Sequence, residues 1–591
     1  MAIQSGTHLG PLFAFVLSFT AVASMSALDL KPVAEHLVAQ NAVFDEQYES
    51  DLKNLPERAT AFGDYRYNDQ LNDYSLAGIA HRHNLDEAFL ERLQAIPTTG
   101  FSEQDQLSHD LLIRVLQQRI ADYDLKEYEM PINTQGGIHT NLADLPLAVP
   151  LDSVKHYEDY IFRLHQIPRA LSQSIEVLRA GMKDRLMPVR FIAEKIPGQC
   201  QGIIEADPFL QPTKKYPADI PAEDQERLTK EITDAVNKDV LPAYKAFADF
   251  VQTEYAPQGR TVLAITSLQE GQKRYENDIY RTTTTHMTPD EIHQLGLREI
   301  DRITAEMTGI AKREGFADLA AFRASLKENS KYIPTSAEQI LDEFRHYISQ
   351  MQSKLPELFT FIPNTPVTVE AIPAFDKSAM THYMIGTPDG ERPGRVIVAT
   401  SDYAHRSLID DEATAYHEGV PGHHMQLSVQ QQLQGLPKFR QHGLSISAYG
   451  EGWALYAEQL GKEVGFYQDP VSDYGRLSSE LFRAVRLVVD TGIHAKGWSR
   501  DQVVDFFRKS GVVDEPTLQS ETDRYISWPA QALSYKLGQL KFRELRARAQ
   551  RELGPKFDLR KFHDEMLNGG TLPLDMLEAR TDKWIAEQKA K

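Results

Sequence analysis

The chain has 591 residues, of which 84 are acidic and 64 basic, for a formal charge of −20. That balance excludes a nucleic-acid binder, because phosphate recognition needs Lys and Arg to displace counterions. With 41% hydrophobic and 25% charged residues, the chain can bury a large core, as several domains or one multi-lobed body.

Taken in order, the chain opens on an apolar run, Leu9 to Met25, followed by small residues and Asp29. It is too short for a membrane span, which needs about 20 apolar residues. It reads instead as a signal peptide over 1–26, with Ala21-Val-Ala23 offering a cleavage site. The expected mature protein is exported, periplasmic or extracellular, with no stable membrane association after cleavage. Cys200 is the only cysteine, so no intrachain disulfide forms and no cysteine near the cleavage point offers a lipid anchor.

From 28 to 260 the pattern is that of a helical lobe. Apolar residues recur at three- and four-residue spacing in Leu37, Val38, Phe44 and Tyr48 and again in Leu111, Leu112, Val115 and Leu116. A second helical region runs over 261–591. Thr288, Pro289 and Glu291 predict a capped helix start, with Pro at the first position and Glu three residues after the cap. Two β-rich runs interrupt the helices within 367–400: Val367 to Ile372, which alternates apolar and polar, and Arg395 to Thr400. A small sheet there offers an edge for an extended peptide, or merely packs. The fold class expected is mostly α, with this small β element beside the residues that carry the chemistry.

Those residues lie in 417–458. The stretch His417-Glu-Gly-Val-Pro-Gly-His423-His424-Met-Gln426 packs three imidazoles and a carboxylate into ten residues. A His followed at once by Glu, with another His nearby, opens the metal site of zinc peptidases. There the histidines hold Zn²⁺ and the Glu takes a proton from the attacking water. The usual spacing is broken, because Pro421 stands where the second His belongs. On a regular helix His423 would point about 240° away from His417, and His424 would regain the face but sit about 10 Å along the axis. Pro421 lacks an N–H and Gly419 and Gly422 loosen the turn, so the helix must bulge or break. A bulge that absorbs two residues places His423 where the fourth residue normally sits. His423 is favoured as second ligand, with His424 as the alternate. The third ligand expected is Glu451, in Tyr449-Gly-Glu451-Gly-Trp-Ala-Leu-Tyr-Ala-Glu458, with Glu458 a partner for one of the histidines or a surface carboxylate.

These two motifs resemble those of the bacterial family catalogued as domain of unknown function 885, grouped with gluzincin-type zinc metallopeptidases. The resemblance extends to Leu55-Pro-Glu-Arg-Ala-Thr-Ala-Phe-Gly63, to Arg486 through His494 and to Trp528 through Gly538, so it spans nearly the whole mature chain. It implies a large helical, bilobed peptidase fold with the site in a deep cleft. Arg486, Asp490 and His494 follow at i, i+4 and i+8 along one helix side. Arg486 could bind a substrate carboxylate, and His494 could donate to the oxyanion or be oriented by Asp490. Tyr535 is the other oxyanion candidate, or a buried structural residue. The reading that results is an exported zinc metallopeptidase for short peptides, with Glu418 as general base. The alternatives are a non-catalytic peptide- or metal-binding protein on the same fold, and a metal-dependent hydrolase of another amide or ester bond.

Overall fold

Helices dominate, as the apolar spacing predicts, and a single three-stranded sheet is the only one among the described residues. The structure is a computed structural model that describes residues 27–327, 329–372, 380–387 and 390–591. The expected signal segment at 1–26 lies outside them. No helix among the described residues is long and apolar enough to cross a membrane.

The predicted start at Thr288 forms as a full capping box: its hydroxyl accepts from the Glu291 N–H while the Glu291 carboxylate accepts from the Thr288 N–H. The helix it opens, Pro289–Arg313, packs along Pro470–Lys496 in one of the two most extensive helix pairings of the protein. The other joins Ser447–Glu463 to Leu533–Leu553. Two glycines make that second approach close. A Cβ at Gly452 would meet the backbone of Gly538, and a Cβ at Gly538 would overlap the carbonyl of Ala448. The pairing matters because one helix carries Glu451 and the other Tyr535.

Both β-rich runs become strands: β1, Val367–Ala371, and β3, Gly394–Val398. They pair in parallel, Val369 opposite Val396, and a short strand that the sequence pattern did not reveal, β2 at His382–Met384, lies antiparallel on the other side of β3. Three residues are too few to show an alternation, which is why β2 escapes a pattern search. Val396 and Val398 face the main core together with Tyr416, Val420, Trp453 and Phe542. Val43, Phe44, Leu111 and Leu116 join the same core, so residues from both sides of position 260 share it. Trp453 is fully buried at its centre and donates its indole N–H to the Pro421 carbonyl at 2.8 Å, which ties the broken His417 stretch to the core.

Candidate metal centre

The helix Asp411–Glu418 delivers His417 in its last turn and then stops. Gly419 and Gly422 leave helical geometry, the Gly422 N–H reaches back to the Tyr416 carbonyl at 3.0 Å, and a second helix, His423–Gln432, begins at once. The chain therefore breaks rather than bulges. Gly422 is required by the closeness of the turn, since a Cβ there would overlap the His417 and Tyr416 carbonyl oxygens. The break does what a bulge was expected to do: the rings of His417 and His423 meet edge to face, with centroids 4.9 Å apart.

Glu451, in the first turns of Ser447–Glu463, completes the cluster. Its Oε2 lies 3.4 Å from Nε2 of His417 and 3.4 Å from Nε2 of His423, and one ligand atom from each of the three residues falls within 4.8 Å of the others. Zinc holds N and O donors at about 2.1 Å, so two donors on a tetrahedral ion stand about 3.4 Å apart. The side chains are thus spaced as ligands around a common centre, and a separation of 3.4 Å is long for a hydrogen bond. Glu458 is buried, and its Oε1 lies 2.8 Å from Nδ1 of His417. A carboxylate that accepts the Nδ1 proton makes Nε2 the nitrogen turned to the cluster, the atom that would give its lone pair to a cation.

The electrostatics of the cluster couple its imidazoles to its carboxylates. Burial works against charge on His417, yet the Glu451 and Glu458 carboxylates beside it outweigh burial and raise the imidazole to about 9. Burial likewise opposes charge on Glu451, and His417 and His423 still hold its carboxyl well below the usual carboxylate range. Glu418 is 9% exposed and forms no ion pair with a described residue. Three carboxylates converge on two imidazoles, so the pocket attracts positive charge. His423 and Glu451 remain 16% and 21% exposed, which leaves the cluster open to solvent on one side.

His424, the alternate ligand, does not join. Tyr383 Oη sits 3.0 Å from its Nδ1 and the Thr365 carbonyl 3.1 Å from its Nε2. Burial pushes this imidazole down to about 4, as suits a neutral ring spent on structure.

The remaining expected residues separate. Tyr535 is half-buried and its ring runs parallel to that of His417 at 6.5 Å, interplanar angle 19°. Its hydroxyl accepts from Nη2 of Arg524 at 3.3 Å. The oxyanion role expected of His494 needs correction. Its Nδ1 accepts from the Ile265 N–H at 3.1 Å and its Nε2 donates to the Tyr525 carbonyl at 2.8 Å. A fully buried ring with both nitrogens engaged by backbone has nothing left for a substrate, and burial pushes it down to about 3. Asp490 does not orient it either, accepting instead from Tyr275 Oη and the Ala530 N–H. Arg486 is also corrected. It is 2% exposed, pairs with Glu521 at 3.0 Å and lies 4.6 Å over the Tyr535 ring, so it packs against the tyrosine instead of reaching a substrate. Arg483 and Arg524, which no motif singles out, lie against the same tyrosine, Arg483 near its ring and Arg524 at its hydroxyl. Arg483 lies one helical turn before Arg486, a spacing that could have suggested a pair.

Fold and cluster together define a class: a mostly helical protein with a preformed His-His-Glu centre at a broken helix. The chain belongs to the family described as "Bacterial protein of unknown function (DUF885)", whose pattern matches residues 56–580. The crystal structure described as "the putative lipoprotein from Colwellia psychrerythraea" is similar at 26% identity, with a TM-score of 0.88, over 93% of this chain and 100% of that one. A "putative lipoprotein of unknown function from Shewanella oneidensis" shares the fold at 18% identity and a TM-score of 0.67, over 91% and 98% of the two chains. No curated protein matches.

Proposed function

We propose that the chain is an exported, zinc-dependent peptidase of gluzincin-like type, with His417, His423 and Glu451 as the metal ligands. The observation that supports this most directly is the equal 3.4 Å spacing of Glu451 Oε2 from the two Nε2 atoms, the separation two donors on one tetrahedral zinc require. When bound, zinc supplies Lewis acidity to the scissile carbonyl and to the attacking water. The chain's own residues do the rest. Glu418 accepts the water's proton and returns it to the leaving amine. Glu458 fixes the His417 tautomer and orientation. Tyr535 accepts from Arg524 and so keeps its own O–H free to donate to the oxygen that gains charge. Export is supported by the apolar run over 9–25 and by the lipoprotein descriptions of the two similar structures.

The test is metal analysis of the purified mature chain, then cleavage of a mixed short-peptide library with and without chelator. The expected result is about one zinc per chain, chelator-sensitive cleavage, and its loss in Glu418→Gln. Peptide binding without turnover would instead favour a binding protein, and turnover of esters or other amides alone another hydrolase. Undiminished cleavage by Glu418→Gln would remove the general-base assignment.

A further inference from the structure

Tyr535 is ringed by more positive charge than its surroundings balance. Arg524 reaches its hydroxyl, Arg486 lies 4.6 Å over the ring, and the Arg483 guanidinium is 5.9 Å from the ring centre. One carboxylate, Glu521, serves two of the three: it pairs with Arg486 at 3.0 Å and with Arg524 at 3.2 Å. Arg483 forms no ion pair with a described residue. Its Nη1 is spent on the Ser479 carbonyl and hydroxyl, its Nε is buried without a partner, and the Asp410 carboxyl feels its charge without forming an ion pair with it. Nη1 of Arg486, in a side chain 2% exposed, also lacks a partner. Buried guanidinium N–H groups are costly to leave unpaired, and a fork of them matches a carboxylate.

Resting on the peptidase reading above, we infer that Arg483 forms a carboxylate-recognition subsite beside the metal cluster, with Arg524 held to Glu521, Gln531 and the Tyr535 hydroxyl next to it, and that the preferred substrates are peptides bearing a carboxylate within a few residues of the scissile bond. Tyr535 neighbours both groups, with the Arg483 guanidinium 5.9 Å and the His417 ring 6.5 Å from its ring centre, and an extended peptide advances about 3.5 Å per residue. The carboxylate is either the free C-terminus, which makes the enzyme a carboxypeptidase, or an acidic side chain near the cut. The geometry serves both. Arg483 is half-buried, and its Nε has no hydrogen-bond partner.

The experiment uses the full metal-loaded chain and three matched peptide series: free acid, C-terminal amide, and internal Glu against Gln. kcat/KM is measured on the wild type, and peptide affinity by calorimetry on Glu418→Gln. A preference of tenfold or more for free acid over amide, in rate and in affinity, is expected of a C-terminal subsite. The same preference for Glu over Gln identifies a side-chain subsite. Either ratio should collapse towards one in Arg483→Gln and be partly kept in Arg483→Lys, with circular dichroism to confirm folding. Equal handling of acids, amides, Glu and Gln, with cleavage still abolished by Glu418→Gln, overturns this inference and leaves the peptidase standing. Acid-dependent binding that requires Arg483 but brings no cleavage keeps the subsite and overturns the peptidase. Neither cleavage nor acid-dependent binding overturns both.

Discussion

Nδ1 of His417 and the carboxylate of Glu458 meet at 2.8 Å, with neither side chain more than 3% exposed. Glu458 Oε2 has no partner of its own, so the carboxylate is held there by the imidazole alone. This contact decides which nitrogen of His417 faces the cluster. Glu458→Gln keeps an acceptor but loses the charge, and Glu458→Ala loses both. Zinc affinity should fall about 10- to 100-fold, with Ala worse than Gln. Competition against a chromogenic chelator measures the order; equal affinity in all three proteins would remove Glu458 from the site.

The break between the helices that carry His417 and His423 is set by Gly422. Ala there forces the His417 carbonyl away and shifts His423 with it. Gly422→Ala should cost about 1–3 kcal/mol of stability and abolish stoichiometric zinc binding. Gly450→Ala, next to Glu451, is the control: its Cβ would meet nothing closer than Gln426 Oε1 at 3.8 Å, and both stability and zinc content should hold. Urea midpoints and metal content of the two variants check the pair.

Why was so much of this site legible in the sequence, and the rest not? The residues that cluster are recognised by type and spacing, and Pro421 between two glycines announces that the helix cannot continue. The choice of His423 over His424 follows from the break. The roles of Arg486 and His494 were misread because a helical spacing gives a shared side but not what that side faces. Pro470–Lys496 is buried nearly all round from Val471 to His494, and a helix with no solvent face offers no polar stripe from which to read a direction. Arg524 and Arg483 gain meaning only through Tyr535, which arrives from a different helix.

His563 should make the fold acid-sensitive. Its Nδ1 donates to the Leu358 carbonyl at 2.9 Å, while Nε2 lies 2.8 Å from Tyr456 Oη, which itself accepts from Arg546. Burial pushes the imidazole down from its ordinary 6.5 to about 3. Between those values the unfolded chain binds the proton and the folded chain does not. Stability is therefore full above pH 6.5 and is lost as pH falls towards 3, by about 1.4 kcal/mol per unit from this group. In denaturant titrations at pH 7 and pH 5, His563→Gln should start less stable and lose less on acidification than the wild type. An equal loss in both proteins would show that His563 does not carry the effect.

The last prediction separates chemistry from metal binding. Tyr535 touches none of the ligands by hydrogen bond; it faces His417 ring to ring, with its hydroxyl held by Arg524. A donor that acts only on the charge developing in the transition state should lower kcat and leave ground-state binding alone. Removing one such donor typically costs 10²- to 10³-fold. Tyr535→Phe should therefore lose about that much in kcat with zinc content and KM little changed. Arg524→Gln, which leaves the hydroxyl in place but without its charged neighbour, should lose less. The opposite pattern, normal kcat with raised KM in Tyr535→Phe, would make the tyrosine a binding residue and leave the oxyanion without a donor from this helix. His494→Gln offers the contrast: with both ring nitrogens bonded to backbone, its substitution should lower the unfolding midpoint and leave the activity per folded molecule intact.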